Sequence, residues 1–412
     1  QALSNQVLAG VRIVDLSMGW AGPLSTRNLA DLGATVIKVE SCTNFDWWRS
    51  WEATQEWIES NGAEKSTAFN TVNRNKRDIT LDLEHPEGRS LLLELVKTAN
   101  IVVENYSGSV LPKLDLSFEI FRQAKPDIIL LSMPAFGSTG PWANFRAYGS
   151  TVEQSSGLPH LNGSENDPPT MQHVALGDAV GGLTGAAAIL VALRHQSRTG
   201  EGQFVDLSQV EGLFPMASHG ILEYAATGNS PKRAGSRFGN SLVRGVYACK
   251  GEDQWVAIEC SSADHWSALA DEIGQPLSEF GEYQIAKHRI DEIDSVLSDS
   301  FRDKDAKEVM RQLQGIGIPA AATLSTVDIL NDPHLAKRGF WQFQERAFVG
   351  LQPHPSPPYR VGKEPFSIMS AAPTLGEHNE EILKTVLGIE DEEITRLESM
   401  GVIGNRPRMP SK

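Results

Sequence analysis

Along the first half of the chain, short apolar runs alternate with longer segments in which apolar residues recur every three or four positions. Residues 11–16 (VRIVDL), 35–39 (TVIKV), 101–104 (IVVE), 128–133 (IILLSM) and 203–208 (QFVDLS) read as strands. The stretch 73–83 (NRNKRDITLDL) turns from a basic loop into another. Between them, residues 24–32, 87–98 and 118–124 carry helical spacing, and Leu91, Leu92, Leu95 and Val96 share one face of the second. Strand, glycine-containing turn, helix and strand in that order predict an α/β fold: an open, Rossmann-like domain on a parallel sheet.

The pattern changes after the Pro/Gly/Arg-rich connector at 229–240. Residues 246–249 and 255–258 flank Gly251, Glu252 and Asp253 as a β-hairpin. Helical spacing then runs to Gln314, residues 318–323 read as a strand, and 326–335 as a broken helix before short strands near the end. The expected layout is a large α/β domain at 1–228, a smaller α+β domain at 229–325, and a return of 326–412 to the large domain.

Loops rich in Gly, Asn and Ser follow several predicted strands: 17–23 (SMGWAGP), 105–108 (NYSG) and 135–141 (AFGSTGP). In an open α/β sheet such loops gather at one edge, where ligands bind. The first is no dinucleotide fingerprint, because GWAGPL lacks the GxGxxG spacing. Glu40 ends the second strand, where a dinucleotide fold places a ribose-binding acid, but the missing glycines argue against nicotinamide.

Asp178 stands between Gly177 and a small-residue apolar run, 179–193, that reads as a buried helix. The run ends in the cationic turn of Arg194, His195 and Arg198, and Gly200 stops it. Gly181, Gly182 and Gly185 let another backbone or a ligand approach its first turns. Asp178 suits either of two roles. It can be the N-cap of this helix, or a carboxylate nucleophile kept ionised by a helix N-terminus, with free backbone N–H groups for an oxyanion. Trp47, Trp48, Trp51 and Trp57 form core, a subunit interface, or a platform for an acyl group or ligand ring. Arg74, Lys76 and Arg77 form a solvated turn or meet an anion.

With 37 basic against 52 acidic residues and a net charge of −15, neither nucleic acid nor an anionic membrane is expected as the main partner. The three cysteines are too few and scattered for a disulfide framework or a thiolate metal site, which fits a reducing cytoplasm. His160, His173 and His195 lack metal-ligand spacing, and no metal is expected. The apolar core at 186–193 is too short to span a membrane. Gln1 in place of methionine suggests a trimmed N-terminus.

Taken together, GWAGPLSTRNLADLGATVIKVE, NRNKRDITLDL, IVVENYSG, MPAFGSTGPW with the downstream SSGL, PPT…ALGD, RTGEGQFVDLS, GIPAA and LGEHNEEIL carry a resemblance running nearly end to end. The chain resembles the class III coenzyme A transferases, a family that includes formyl-CoA:oxalate CoA-transferase and the carnitine and bile-acid CoA-transferases. The resemblance implies that Asp178, in ALGD, is the nucleophile. It attacks an acyl-CoA thioester to form a mixed anhydride, the released thiolate converts this to an aspartyl-CoA thioester, and a carboxylic acid acceptor then takes the CoA. Backbone N–H groups near Gly181 and Gly182, or from the 235–240 loop, are candidate oxyanion donors.

Position by position, the family's CoA contacts fall on Trp20, Ala21, Ser41, Leu81, Leu83, Glu84, Asn105, Tyr106, Lys113 and the 133–136 stretch that includes Phe136. Several depart from the oxalate enzyme. Trp20 replaces a glutamine, Ser41 and Glu84 replace basic residues, and Pro134 replaces a lysine. Lys113 replaces an arginine and loses its bidentate fork. The glycine-rich flap is shortened to 233–240 (RAGSRFGN). These departures argue against oxalate or formate and leave the CoA phosphates to Lys38, Arg74, Lys76 or Arg77. Trp20 and the tryptophan cluster suggest a bulkier or less polar substrate. The resemblance also implies an interlocked homodimer. Its alternatives are an acyl-CoA racemase of the same fold, whose histidine position falls on Tyr148, and a CoA-binding protein without turnover.

Overall fold

The structure is a computed structural model that describes residues 6–51, 53–237, 239, 241–361 and 363–409. Six parallel strands form its main sheet: β1 (Arg12–Asp15), β2 (Thr35–Glu40), β3 (Lys76–Thr80), β4 (Ile101–Glu104), β5 (Ile129–Ser132) and β6 (Phe204–Asp206). Their spatial order is β3-β2-β1-β4-β5-β6. The order reverses where β1 pairs with both β2 and β4, which opens a crevice beyond the carboxyl ends of β1 and β4.

The near-continuous apolar character of these strands has a simple cause: both sheet faces are covered. Alternate residues of one strand enter different cores. Val14, Ile37, Val102 and Leu130 pack with Leu92, Leu95, Phe121, Ile382 and Leu397 on one face. Ile13, Val36, Ile101, Val103 and Leu131 pack with Leu29, Ile189 and Ala192 on the other. The late helices Asn379–Thr385 and Asp391–Ser399 thereby complete a layer begun near the start of the chain.

By its internal contacts the chain divides into two compact units. One comprises Gln1–Leu158, Met171–Leu222 and His334–Lys412; the other comprises Pro159–Thr170 and Glu223–Pro333. The second unit therefore takes up Pro159–Thr170 and has its edges at 222/223 and 333/334, where the sequence reading set 228/229 and 325/326. It holds an antiparallel sheet of β7 (Val243–Ala248), β8 (Trp255–Cys260) and β9 (Ala320–Ala322), in the order β7-β8-β9. Its own core includes Tyr247, Val256, Ile258, Trp266, Leu297 and Phe301.

The helix around Asp178 is longer than the apolar run suggests. It spans Leu176–Thr199 and ends on Gly200 at φ +75°, whose N–H bonds to the Gln196 carbonyl. Length and composition would let this helix cross a membrane, contrary to the sequence expectation. Gly181, Gly182, Gly185, Ile189 and Ala192 are buried, with the last two in a core of the sheet. It is also not buried all round, because Leu183, Leu190 and Val191 are exposed.

The close approach that its glycines permit is made by the helix Ala21–Asp31. A β-carbon on Gly182 would lie 2.8 Å from the Ala21 carbonyl oxygen and 2.8 Å from Leu24. One on Gly185 would lie 3.0 Å from Met133 and 3.2 Å from Ser25.

Candidate active site

Asp178 is not the N-cap of its helix. Ala175 occupies that position without a capping side chain, and Asp178 lies inside the first turn, still within the favourable field of the helix N-terminus. The backbone amides of Ala21 and Gly149 instead bear on its carboxylate and favour its ionised form. Each donor is the first residue of another helix, Ala21–Asp31 and Gly149–Gln154. The first turns of three helices therefore meet at one carboxylate.

Gly149 is required by space: a β-carbon there would stand 2.0 Å from Asp178 Oδ2. Gly177 packs in turn against the Gly149 carbonyl, 2.8 Å from where its own β-carbon would be. Burial pushes the Asp178 carboxyl up to about 6, while the Gly149 and Ala21 amides hold it down against that effect. At neutral pH it is a carboxylate, less hydrated than one in water and correspondingly more nucleophilic.

Asp178 lines a cavity of about 610 Å³, with Met18, Asn105, Tyr106, Arg146, Tyr148 and Gln209 among its other walls. A second cavity of about 200 Å³ is lined by Ser41, Leu81, Leu83, Glu84 and Lys113. Met18 and Tyr106 line both. Both cavities belong to the first unit and are built from loops that follow β1 to β5.

Hydrogen bonds fix these loops. Asn105 accepts the Met18 N–H (2.9 Å) and donates to the Met18 carbonyl (2.7 Å), clamping the loop after β1 to the loop after β4. Glu104, pushed up to about 7 by burial, accepts the Tyr106 N–H at 2.7 Å. Asp206 accepts the Ser138 N–H (2.9 Å) and hydroxyl (2.6 Å) and tethers the glycine-rich loop after β5. Gln209 donates to the Met133 carbonyl at 2.8 Å.

Most of the positions expected to contact CoA are brought together. Ser41, Leu81, Leu83, Glu84 and Lys113 line the smaller cavity, Asn105 and Pro134 the larger, and Tyr106 both. Lys113 is exposed at the rim, with no ion pair among the described residues. Ala21 is buried and meets Asp178 through its amide. Trp20 lies in an aromatic row, 5.3 Å from Trp48 and 5.9 Å from His173. Phe136 packs 5.5 Å from Trp142 and 6.5 Å from Phe145, which itself lines the larger cavity. Of the clustered tryptophans, Trp47 reaches the cavity wall, Trp51 is exposed and Trp57 stacks on Phe45.

The four basic candidates for the phosphates are elsewhere. Lys76 is buried and gives its ammonium to Asp15 (2.9 Å), the Pro23 carbonyl (2.9 Å) and Asn73 (2.8 Å), leaving no donor free. Lys38 is buried against Asp46 at 2.8 Å and the Ser17 carbonyl at 2.8 Å. Arg74 forks onto Asp31 at 3.0 and 2.7 Å. Arg77 is half-exposed and pairs with Glu381 at 2.5 Å, outside both cavities. Arg74 and Lys76, near neighbours in sequence, thus become core ion pairs with acids 43 and 61 positions away.

Gly181 and Gly182 are likewise poor oxyanion donors, since both lie inside the helix, where backbone N–H groups bond to carbonyls four residues back. Of the alternative 235–240 loop, Phe238 and Asn240 lie outside the described residues. The sequence reading missed Gly149, Arg146, Thr151 and Gln209 as parts of the site. The one available signal was Gly149 itself, the glycine of AYGS. Among the described residues no cluster of His, Cys, Asp and Glu has the makings of a metal site.

A half-buried carboxylate at the ligand edge of a six-stranded parallel sheet is placed to meet a bound ligand, and the comparisons identify the family. The description of CoA-transferase family III matches residues 8–379, and the chain belongs to that family. It is 30% identical over 400 residues to the succinyl-CoA:glutarate CoA-transferase of Homo sapiens, covering 96% of this chain and 90% of that one. The beta subunit of succinyl-CoA–L-malate CoA-transferase from Chloroflexus aurantiacus is 28% identical over 403 residues, covering 96% and 98%. A crystal structure of a CAIB/BAIF family protein from Brucella suis superposes with a TM-score of 0.83 at 29% identity, covering 92% and 98%. The protein is a CoA-transferase, moving CoA between an acyl-CoA thioester and an acid.

Proposed function

We propose that the chain transfers CoA from a dicarboxylyl-CoA donor to a carboxylic acid acceptor by covalent catalysis on Asp178. The observation that carries this reading is the Asp178 carboxylate, held by two amides on the wall of a 610 Å³ cavity that shares Met18 and Tyr106 with a smaller one. One Asp178 oxygen attacks the thioester carbonyl, the C–S bond breaks, and CoA leaves as its thiolate while a mixed anhydride forms. The thiolate attacks the aspartyl carbonyl and expels the donor acid as a carboxylate. The acceptor carboxylate attacks the resulting aspartyl-CoA thioester, giving a second anhydride and thiolate. Attack of that thiolate on the acceptor's acyl carbon restores Asp178.

Where the aspartyl carbon becomes tetrahedral, its oxyanion occupies the place of a present carboxylate oxygen. The Ala21 and Gly149 amides, which favour the charged carboxylate, are then the candidate oxyanion donors. CoA lies along Met18 and Tyr106, with Lys113 available to a phosphate at the smaller cavity. The dicarboxylate class is suggested by relatives named for succinyl-CoA, malate and glutarate.

The same reading makes the protein a cytoplasmic interlocked homodimer, with a large CoA-binding domain assembled from both chain ends. The dimer is supported by the family resemblance and by exposed Leu183, Leu190 and Val191 on the long helix. The compartment is supported by the small number of cysteines.

Intact-protein mass spectrometry with succinyl-CoA and glutaryl-CoA, before acceptor is added, tests the mechanism. An acyl or CoA adduct on the peptide containing Asp178, absent in Asp178→Ala, is the expected result. Tight CoA binding with no adduct and no transfer for any donor, or exchange of the substrate α-proton with solvent deuterium, would count against it.

A further inference from the structure

We infer that Arg146 docks the far carboxylate of a dicarboxylic substrate whose near carboxylate reacts at Asp178; the inference rests on the transferase reading above. Among the described residues lining the larger cavity, Arg146 is the one cation and Asp178 the one carboxylate. Arg146 has neither an ion pair nor a hydrogen-bond partner among the described residues. This separates it from Lys38, Arg49, Arg74, Lys76 and Arg346, which are buried and paired with acids.

The two charges share a cavity without being within ion-pair distance, which leaves room for a ligand between them. From Arg146 to Gly149, whose amide holds Asp178, three residues of chain span at most about 10 Å. An arginine stem and a short diacid together bridge such a gap. The guanidinium fork matches a carboxylate in two parallel hydrogen bonds, which a shorter or single-pronged cation cannot reproduce.

The segment that presents Arg146 is anchored on both sides. Before it, Phe145 donates its N–H to the Trp142 carbonyl at 2.9 Å and packs with Phe136. After it, Tyr148 meets Trp47 and Trp51 edge-on at 5.4 and 5.5 Å. The aromatic cluster, ambiguous in the sequence, thereby acquires a role: it steadies the loop that carries the cation. In a chain of net charge −15, an unpaired arginine at the cavity also offsets the field that would repel a dianionic substrate.

The test compares Arg146→Gln and Arg146→Lys with the wild type on acids of matched length, succinate against butyrate and glutarate against valerate, at fixed succinyl-CoA and at fixed butyryl-CoA. The expected result for Arg146→Gln is a ten- to hundredfold fall in the ratio of kcat/KM for diacid over monoacid, a size typical of a lost charge-assisted hydrogen-bond pair. The fall is carried mainly by KM, and Arg146→Lys is intermediate. An equal loss for all acids together with weaker binding of free CoA would mean that Arg146 meets a CoA phosphate instead. An unchanged ratio would make it a solvated rim residue; either result overturns the inference while leaving transfer through Asp178 intact. Wild-type enzyme that transfers CoA to none of the acids, or forms no Asp178 adduct, would instead defeat the underlying reading.

Discussion

At the scale of single residues, the site depends on what Gly149 lacks. Its missing β-carbon leaves the volume into which Asp178 Oδ2 fits, and its amide is one of the two donors on that carboxylate. Gly149→Ala is compatible with the backbone, since its φ lies outside the left-handed region, yet the methyl must expel the carboxylate from its seat. A displacement of about 1 Å at a nucleophile costs on the order of a hundredfold in rate, so kcat should fall by at least that much, and because the methyl also meets the Ala175 backbone at 3.0 Å the melting temperature should fall too. The pH profile gives a second readout. Below about 6 Asp178 is protonated and cannot attack, so acylation should rise between pH 5 and 7 and flatten above. Expelling the carboxylate relieves the burial that is the larger influence on its pKa, so the acidic limb in Gly149→Ala should shift to lower pH. A variant with wild-type rate and profile would show that Gly149 does not seat the nucleophile.

At the scale of elements, much of the fold was legible. The strand Ile101–Glu104 and the helix Phe118–Ala124 lie where their spacing puts them, because local periodicity and burial agree there. The long helix was misjudged at its start, because no capping side chain marks residue 175 and the glycines hide the helical pattern. Those glycines are explained by a neighbour the sequence does not reveal, the helix Ala21–Asp31. Gly182→Ala tests this directly. Intrinsic helix propensity favours alanine by about 1 kcal/mol, so a net loss isolates the packing. The new methyl meets the Ala21 carbonyl and Leu24 at 2.8 Å, and overpacking of this kind costs about 1–3 kcal/mol. Urea unfolding should show reduced stability, and kcat should fall as well, because the displaced helix carries an Asp178 donor. Increased stability with unchanged kcat would disprove the tight contact.

At the scale of the molecule, the first unit is tied together by a buried ionic network. Arg49 lies 2.8 Å from Glu40, 2.9 Å from Glu64 and 3.7 Å from Asp78, with Phe69 stacked beneath its guanidinium. Glu64 in turn binds Arg346 at 3.0 Å and the Leu375 N–H at 3.1 Å, joining the beginning of the chain to its end. Burial and the nearby Glu40 carboxylate raise Asp78 well above the ordinary carboxylate range. For Glu40, burial is outweighed by Arg49 and Lys38, which bring it down to about 2. Arg49→Met removes the central cation and leaves acids buried without compensation, a change that costs about 3–5 kcal/mol. The urea midpoint should drop accordingly; a midpoint within error of wild type would mean that the network holds nothing in place.

The sequence by itself determined the α/β class, the strands and loops of the ligand edge, the family and the aspartate on which the chemistry is proposed to turn. These follow from periodicity over a few residues and from motifs that keep their order along the chain. Only the tertiary structure decided which cations are free. Lys76 and Arg74 look like anion ligands in NRNKRD but neutralise Asp15 and Asp31 in the core, while Arg146, inconspicuous in its loop, is left unpaired in the cavity of Asp178. The physical reason is that burial and Coulomb pairing depend on distance through space, and residues 43 or 61 positions apart become neighbours only when the sheet is assembled.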